Sequence, residues 1–361
     1  MTFSSNENHK IIRFEGIDSI KAYAIILVVL GHVIRGLCES KIVHNNIFID
    51  EIDNSIYMFH MPIFFFISGL LFYISGSYNR KWEYTLNKQF YTLIWPYLFW
   101  SICTVFIKVL LANSVNHPFK LSYAIKIIYD PIDQFWFLYT LLIIQILSKF
   151  IINYFGSNIL FLISCIMFFM HFSFDINISV FSYVTAFLIY FVIGFLCGSI
   201  FIKNNISILH NYLFHSIFVF LLFQYFSIII PINYNSIEGR LLSIPILLSF
   251  FVISITCTSK GNYFSKIMDF IGKNTLSIYC IHVIITAAIR IFLNQAGIKN
   301  IFVHIVTGTI GGVLIPLLIL VIARRLQFSA LIGIDMPQKP RSFKNVYEKY
   351  IRRKSHTYEV K

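Results

Sequence analysis

The sequence is poor in charge and poorest in acids. Asp and Glu number 16 against 29 Lys and Arg, and charged residues make up only 12% of the 361. A soluble globular domain carries roughly 25%, so a chain wetted over its whole surface is excluded. There is no Gly/Ser-rich linker, no internal repeat and no stretch that reads as a second soluble domain. The six cysteines, Cys38, Cys103, Cys165, Cys197, Cys257 and Cys280, are scattered through apolar segments. They have neither metal-ligand spacing nor the pattern of a disulfide framework. No cleavable signal peptide is expected: the polar start from Met1 to Glu15 leads into an apolar run too long for an h-region and without a clear small-residue cleavage site.

What is present is apolar. Hydrophobic residues make up 57%, and the mean hydropathy is +0.74. The 39 Phe and 21 Tyr suit lipid-facing surfaces and interfacial belts. The expected fold class is all-α: a polytopic, multi-pass protein of the cell (inner or plasma) membrane with about ten transmembrane helices. Spans are expected near 17–37, 55–75, 90–112, 135–153, 158–172, 180–201, 213–232, 240–258, 267–292 and 302–323. The net charge of +13 is no argument for a nucleic-acid partner, because much of it lies after Ile322, where the cytoplasmic lysines and arginines of a membrane protein collect. With both termini in the cytoplasm, twenty basic residues fall inside and eight outside, and Lys21 completes the 29. Ten of the twenty lie from Arg324 onward. The organisation expected is a membrane domain over 1–325 and a basic cytoplasmic tail over 326–361, either plainly solvated or drawn to anionic membrane lipids.

Four ionisable side chains interrupt the first two apolar runs. Asp18, Lys21 and His32 belong to GIDSIKAYAIILVVLGHVIRGL, and His60 to SIYMFHMPIFFFISGLLF. Such groups are expensive in a bilayer and tend to line a pathway or a site. Taken singly, each has a plainer role: Asp18 and Lys21, three apart on one helix face, neutralise each other, and a lone histidine packs with a hydrogen bond. His32 lies eleven residues beyond Lys21, about 16 Å at 1.5 Å per residue. His60, on a span running inward, falls in the same outer half. His282 lies about 22 Å along a ninth span counted from Ile267. Three histidines from three helices therefore reach a similar depth. Neutral imidazole takes a proton from a hydroxyl near neutral pH. Three imidazoles also suit zinc, but no Cys, Asp or second His stands at helical ligand spacing beside them, and no metal is expected.

A second polar set faces the cytoplasm: Lys21, Arg80, Lys81 and Lys88. Donor phosphates such as those of a coenzyme A thioester need cations. Ordinary positive-inside bias accounts equally for Arg80 and Lys81, whereas Lys88 opens a span. Trp136, in DQFWFLYTLL, is either an interfacial anchor or a cap on the outer mouth. The loops Glu39–Asn54 and Ala112–Gln134 lie outside; the first carries Glu39, Asp50, Glu51 and Asp53, the second Pro118 and Pro131.

At these residues the sequence resembles the membrane acyltransferase-3 family, in particular its fucose 4-O-acetylase-like, polysaccharide O-acetyltransferase branch. The family carries a basic residue and, about ten residues later, a histidine in its first span; Lys21 and His32 fill those places, with Asp18 just before. MFHMPIFFFISGLLF matches the second span, and IWPY, FWFL and IGKNTLSIYCIH, Ile271 to His282, follow in family order. The match covers roughly residues 13 to 325. The resemblance implies ten spans, acetyl-CoA or another acyl-CoA as cytoplasmic donor substrate, and a hydroxyl acceptor on a surface glycan or its lipid-linked sugar precursor. It implies an essential first-span histidine and a basic third-span motif that handles the donor. Family members often carry paired arginines there, where this chain has Lys88 followed by Gln89. The fused esterase-like domain of some members has no counterpart here, so transfer is expected to finish in the membrane domain.

The expected activity is O-acetyl transfer. His32 is the base or transient acyl carrier, His60 and His282 assist, and Lys21, Lys88 and Arg80 hold donor phosphates, with Asp18, Trp136 and Asn274 in support. The competing classes are a transporter or flippase of a glycan or lipid-linked sugar, and a membrane sensor without catalysis. Against transport, the two halves of the chain show no corresponding Gly/Pro-broken half-helices.

Overall fold

In hydrocarbon a chain must satisfy its own backbone N–H and C=O groups, so apolar runs of this length close on themselves as helices. The structure, a computed structural model, describes residues 16–43, 46–113, 115–174, 178–203, 206–230, 232–257 and 262–336, and among these there is no strand. The helices are α1 (Ile17–Glu39), α2 (Ile47–Ile74), α3 (Trp82–Gln89), α4 (Trp95–Leu110), α5 (Tyr123–Lys126), α6 (Trp136–Phe155) and α7 (Ser157–Ser173). They continue with α8 (Ser179–Lys203), α9 (Leu213–Ile229), α10 (Ile237–Thr256), α11 (Tyr263–Lys273), α12 (Thr275–Gln295) and α13 (Ile301–Arg325). Among the described residues, nine helical segments are long and apolar enough to cross a membrane, and α7 is an apolar helix of 17 residues beside them. The chain is thus an all-α, polytopic membrane protein. The side on which α1 begins is called the near face below, and the side on which it ends the far face.

Four boundaries differ from those expected. The second span starts at Ile47, not near 55, because the Asn46 side chain accepts from the Ile49 N–H and caps the helix. Asp50 and Asp53 consequently sit in the first turns of α2, where helix N–H groups favour anions. The third span starts at Trp82: α3 and α4 are joined by a π turn over Phe90–Ile94. Pro96 follows that turn, has no N–H to give and crowds the preceding turn, and a wider turn absorbs both defects. The ninth span is not one helix over 267–292. It breaks at Asn274, whose amide donates to the Phe270 carbonyl and ends α11. His282 therefore lies seven residues, about 10 Å, along α12, not about 22 Å along a continuous helix. Finally, residues 326–336 fold back on the bundle: Ile334 is buried, Arg324 pairs with Asp335 at 2.6 Å, and the Trp95 indole N–H donates to the Leu331 carbonyl. Lys10, Arg13, Lys260 and the tail from 337 to 361 lie outside the described residues.

The core is built on the crossing of α2 and α8. Gly69 and Gly194 face each other there. A Cβ on Gly69 would overlap the Phe191 carbonyl, and one on Gly194 the Phe66 carbonyl. Small residues let backbones approach in this way, which matters in lipid, where no hydrophobic force draws two apolar helices together. Around the crossing, Phe65 stacks on Phe187 at 4.8 Å and Phe66 meets Phe251 at 5.1 Å. Helix α1 packs against α2, α11, α12 and α13. Helix α9 is peripheral and turns Phe214, Phe218, Leu221 and Tyr225 outward, the side suited to lipid.

Gly69→Leu and Gly194→Leu should each prevent recovery of monodisperse protein in detergent, since the clash is with backbone and exceeds the roughly 1–3 kcal/mol usual for overpacking. Leu221→Ala, on the outward side of α9, should change stability by no more than about 0.5 kcal/mol. Size-exclusion profiles and thermal midpoints of the three variants check this.

Candidate functional site

Helices α1 and α12 bring two of the expected histidines together. The rings of His32 and His282 lie 5.0 Å apart, centroid to centroid, at 65°. His282 is fully buried. Its Nδ1 is 2.9 Å from the carbonyl oxygens of both Ile278 and Tyr279, one turn back on the same helix. A carbonyl only accepts, so Nδ1 carries the proton and Nε2 presents a lone pair. That Nε2 has no hydrogen-bond partner among the described residues. His60 is oriented the same way, its Nδ1–H donating to the Ile56 carbonyl at 2.8 Å. Its ring stands edge-on to Tyr57, 4.3 Å away, so Tyr57 lies between it and the space that His32 faces.

That space is a cavity of about 270 Å³ lined by His32, Arg35, Tyr57, Gln134, Arg290 and His304, with Glu39, Asn116 and His117 at its far-face end. Every cation on its wall is engaged. The Arg35 Nε–H donates to both carboxylate oxygens of Asp53, at 3.1 and 3.0 Å, and Nη2 donates to the Tyr234 hydroxyl at 3.2 Å. The Arg35 guanidinium also lies over the Tyr57 ring, 3.0 Å from its centroid. Arg290 donates to the Gly36 carbonyl at 2.5 Å and to the Asn116 side-chain oxygen at 3.2 Å. Asn116 in turn donates to Glu39 at 3.3 Å. Lys108 pairs with Asp133 at 2.7 Å. Among the described residues, no three His, Cys, Asp or Glu side chains gather as a metal ion would require.

The other expected residues lie elsewhere. Lys21 pairs with Asp18 at 2.7 Å near the start of α1. There α11 comes so close that a Cβ on Gly272 would strike the Asp18 carbonyl, and the Ser19 hydroxyl donates to Asp269 at 3.0 Å. Asn274 ends α11 two residues beyond Gly272. Lys88 sits on the near face, its ammonium 3.4 Å from the Ser77 hydroxyl. Arg80 is exposed, against the Tyr84 ring. Trp136 is half-buried and is not among the residues that line the cavity. It stacks on Tyr183 at 4.6 Å and packs on Phe187, between α6 and α8.

Sequence reasoning passed over Arg35, Tyr57, Gln134, Lys149 and Arg290. Two were within reach: Arg35 follows His32 by three residues and Arg290 follows His282 by eight, so each shares its histidine's face. Lys149 gave no such signal, being one cation near a span end. It is completely buried and gives its three N–H bonds to the carbonyls of Ser77, Tyr78 and Arg80, at 3.1, 3.2 and 2.6 Å. One ammonium thereby fixes the turn that carries Ser77 beside Lys88.

Comparison with known proteins adds the following. A family model described as an acyltransferase domain matches residues 14–321. The nodulation protein NolL of Sinorhizobium fredii (strain NBRC 101917 / NGR234) is 30% identical over 147 residues, which are 40% of this chain and 38% of that protein. NolL of Mesorhizobium japonicum (strain LMG 29417 / CECT 9101 / MAFF 303099) is 31% identical over 135 residues, 37% of this chain and 34% of that protein. The aligned part thus spans well under half the length of these curated relatives. No solved structure matches.

Lys149→Met should open the 77–80 turn, because three buried carbonyls lose a charged donor, each such bond being worth about 1.5–3 kcal/mol. Lys149→Arg should not restore it, since a planar fork cannot reach three convergent oxygens. Hydrogen exchange at the amides of Tyr78 to Thr85 should quicken by at least about tenfold in both variants; unchanged exchange would show that the ammonium does not hold the turn.

Proposed function

We propose that this chain, which belongs to the acyltransferase-3 family of membrane proteins, is an O-acyltransferase that moves an acetyl group from acetyl-CoA to a hydroxyl of a surface polysaccharide or its lipid-linked precursor. The observation that carries the reading is the histidine pair at the wall of the far-face cavity. His32 borders the space where an acceptor would sit, and His282 backs it with a ring nitrogen that has no partner among the described residues. In this reading the near face is cytoplasmic, as the excess of basic residues there supports, and the protein lies in the cell's inner or plasma membrane.

The acceptor hydroxyl enters from the far face and gives its proton to the His32 imidazole. The hydroxyl oxygen attacks the thioester carbonyl, the C–S bond breaks, and the thiolate leaves with the proton from the imidazolium. His282, with Nδ1 tied to two carbonyls, holds its ring fixed against His32 through the proton transfer. His60 acts one layer further out by supporting Tyr57. On the donor side, Lys21 is occupied by Asp18, and Arg80 is exposed to solvent. Lys88 is half-buried, faces the Ser77 hydroxyl and has no carboxylate partner among the described residues, so it is the cation best placed to hold donor phosphates. Asp18 and Asn274 serve the α1–α11 contact, and Trp136 the packing of α6 on α8.

His32→Ala and His32→Gln should both lower acetyl transfer by at least about 10²–10⁴-fold, the range lost with a general base, at wild-type levels of membrane-inserted protein. The measurement is acetyl content of the cell's glycans, normalised to protein, with and without each variant. An active His32→Gln, which keeps hydrogen bonding but not basicity, would end the catalytic assignment. Lys88→Ala should raise the KM for acetyl-CoA more than it lowers kcat, because a phosphate contact remote from the thioester contributes nearly equally to ground and transition states. An unchanged KM would remove Lys88 from the donor site.

A further inference from the structure

The cavity wall contains an amide that the fold holds in place and leaves unsatisfied. Gln134 is 4% exposed, yet neither its side-chain oxygen nor its side-chain nitrogen has a partner among the described residues. Each buried polar atom without a bond costs about 1–3 kcal/mol, and a side chain with free room would turn towards a partner or water.

The backbone that carries this side chain is itself held in place. Asp133, the residue before, takes the left-handed conformation at φ 43°, uncommon for a residue with a Cβ. Its carboxylate pairs with Lys108. The Gln134 carbonyl accepts the Tyr279 hydroxyl, and Phe135 behind it is fully buried. Backbone strain of this kind, roughly 1–3 kcal/mol, persists where the surroundings over-determine it and clusters at ligand sites. Tyr279 is also the residue whose own carbonyl receives the His282 Nδ1–H. One hydrogen-bonded chain therefore runs from the histidine pair through Tyr279 to the turn that carries the amide.

A second unpaired group lies on the same wall. His304, on α13, is buried and donates Nε2–H to the Ile298 carbonyl at 2.8 Å, which leaves Nδ1 as an acceptor without a partner among the described residues. The cavity thus offers amide donors, an amide acceptor and an imidazole acceptor, while Arg35 and Lys108 are neutralised by Asp53 and Asp133 and Arg290 is faced through Asn116 by Glu39. Hydroxyl groups, which both donate and accept, match that set; a carboxylate or phosphate would meet lone pairs it cannot use. At about 270 Å³, the space falls just below the roughly 300–1,000 Å³ of pockets for drug-sized ligands, enough for one sugar ring.

We propose that Gln134 is the specificity-determining residue of the acceptor pocket: its carboxamide reads a second hydroxyl on the uncharged sugar ring whose first hydroxyl faces His32. This rests on the acceptor being a glycan, as in the function proposed above. A site built to bond a hydroxyl rejects the analogue lacking it far more strongly than an apolar pocket discriminates by shape.

The test uses the full chain in nanodiscs and a panel of methyl hexopyranosides, neutral sugars and uronates, each neutral member accompanied by its single-deoxy analogues. Binding is read by titration as thermal stabilisation. Wild type should bind at least one neutral glycoside, and one of its deoxy analogues at least about tenfold more weakly. Gln134→Met should keep or raise the unliganded thermal midpoint, because it replaces an unsatisfied amide with an apolar chain of similar length. It should bind the same glycoside at least about tenfold more weakly and no longer distinguish the deoxy analogue. Gln134→Asn, one methylene shorter, should show the same loss and serves if the Met variant folds poorly. Wild type that binds no neutral glycoside, prefers uronates, or matches Gln134→Met in discrimination overturns the proposal. Acetyl transfer is measured separately: glycoside binding without transfer in wild type would count against the acyltransferase reading while leaving this one standing.

Discussion

Backbone carbonyls, not carboxylates, hold most of the key polar side chains of this protein. With 16 acidic residues in 361, the bundle has few anions to set against its imidazoles and ammonium groups. A helical carbonyl keeps one lone pair after closing its own ladder bond, and the fold uses that spare capacity repeatedly. His60 leans on Ile56, His282 on Ile278 and Tyr279, Lys149 on three carbonyls of one turn, and Arg290 on Gly36. The consequence for the site is directional. A histidine that spends Nδ1–H on its own helix must show Nε2 to whatever lies beyond, so the helix itself fixes the tautomer without a second residue. Carboxylates pair with two of the cations that border the far-face cavity, Arg35 with Asp53 and Lys108 with Asp133, and Glu39 faces the third, Arg290, through Asn116; together they cancel charge that would otherwise select an anionic ligand.

The two ends of the bundle are specialised by the same economy. On the near face, the α1–α11 contact at Gly272 and the Lys149-held turn leave Lys88 as a partly buried cation with donors to spare. On the far face, α1 presents His32, Arg35, Gly36 and Glu39 along one side, and α12 answers with Thr286 and Arg290, while His282 stands against the His32 ring. The α2–α8 crossing fixes α2, which also packs against α1. Because that crossing is backbone against backbone, it tolerates little adjustment, and the position of Tyr57 and His60 on α2 follows from it.

Much of the architecture was legible because hydrocarbon imposes so few solutions. Runs of about twenty apolar residues became helices close to where they were expected, and the short run at 158–172 became α7. The errors fall where local capping overrode hydropathy: Asn46 started α2 early, Asn274 split the ninth span, and Pro96 was accommodated by a π turn inside a longer helical segment. The pairing of His32 with His282 could be suspected from depth, although the depth of His282 was reckoned from the wrong helix start. Nothing in the sequence distinguished Trp136, which packs internally, from Gln134 two residues before it, which lines the cavity.

The sequence by itself determined the class of the protein, its helical segments and the residue types available for chemistry, because burial cost in lipid acts on composition and on short runs. Tertiary structure alone decided which of those residues meet. Lateral contact between helices depends on which faces carry glycine at a crossing, as at Gly69 and Gly194, and on long-range bonds such as Tyr279 to Gln134, separated by 145 positions. Helical periodicity places a side chain on a face and at a depth; it carries no information about which neighbouring helix that face will find. The Nε2 of His282 and the amide of Gln134, without partners among the described residues, are properties of that lateral arrangement, and they exist only once the bundle has closed around the cavity.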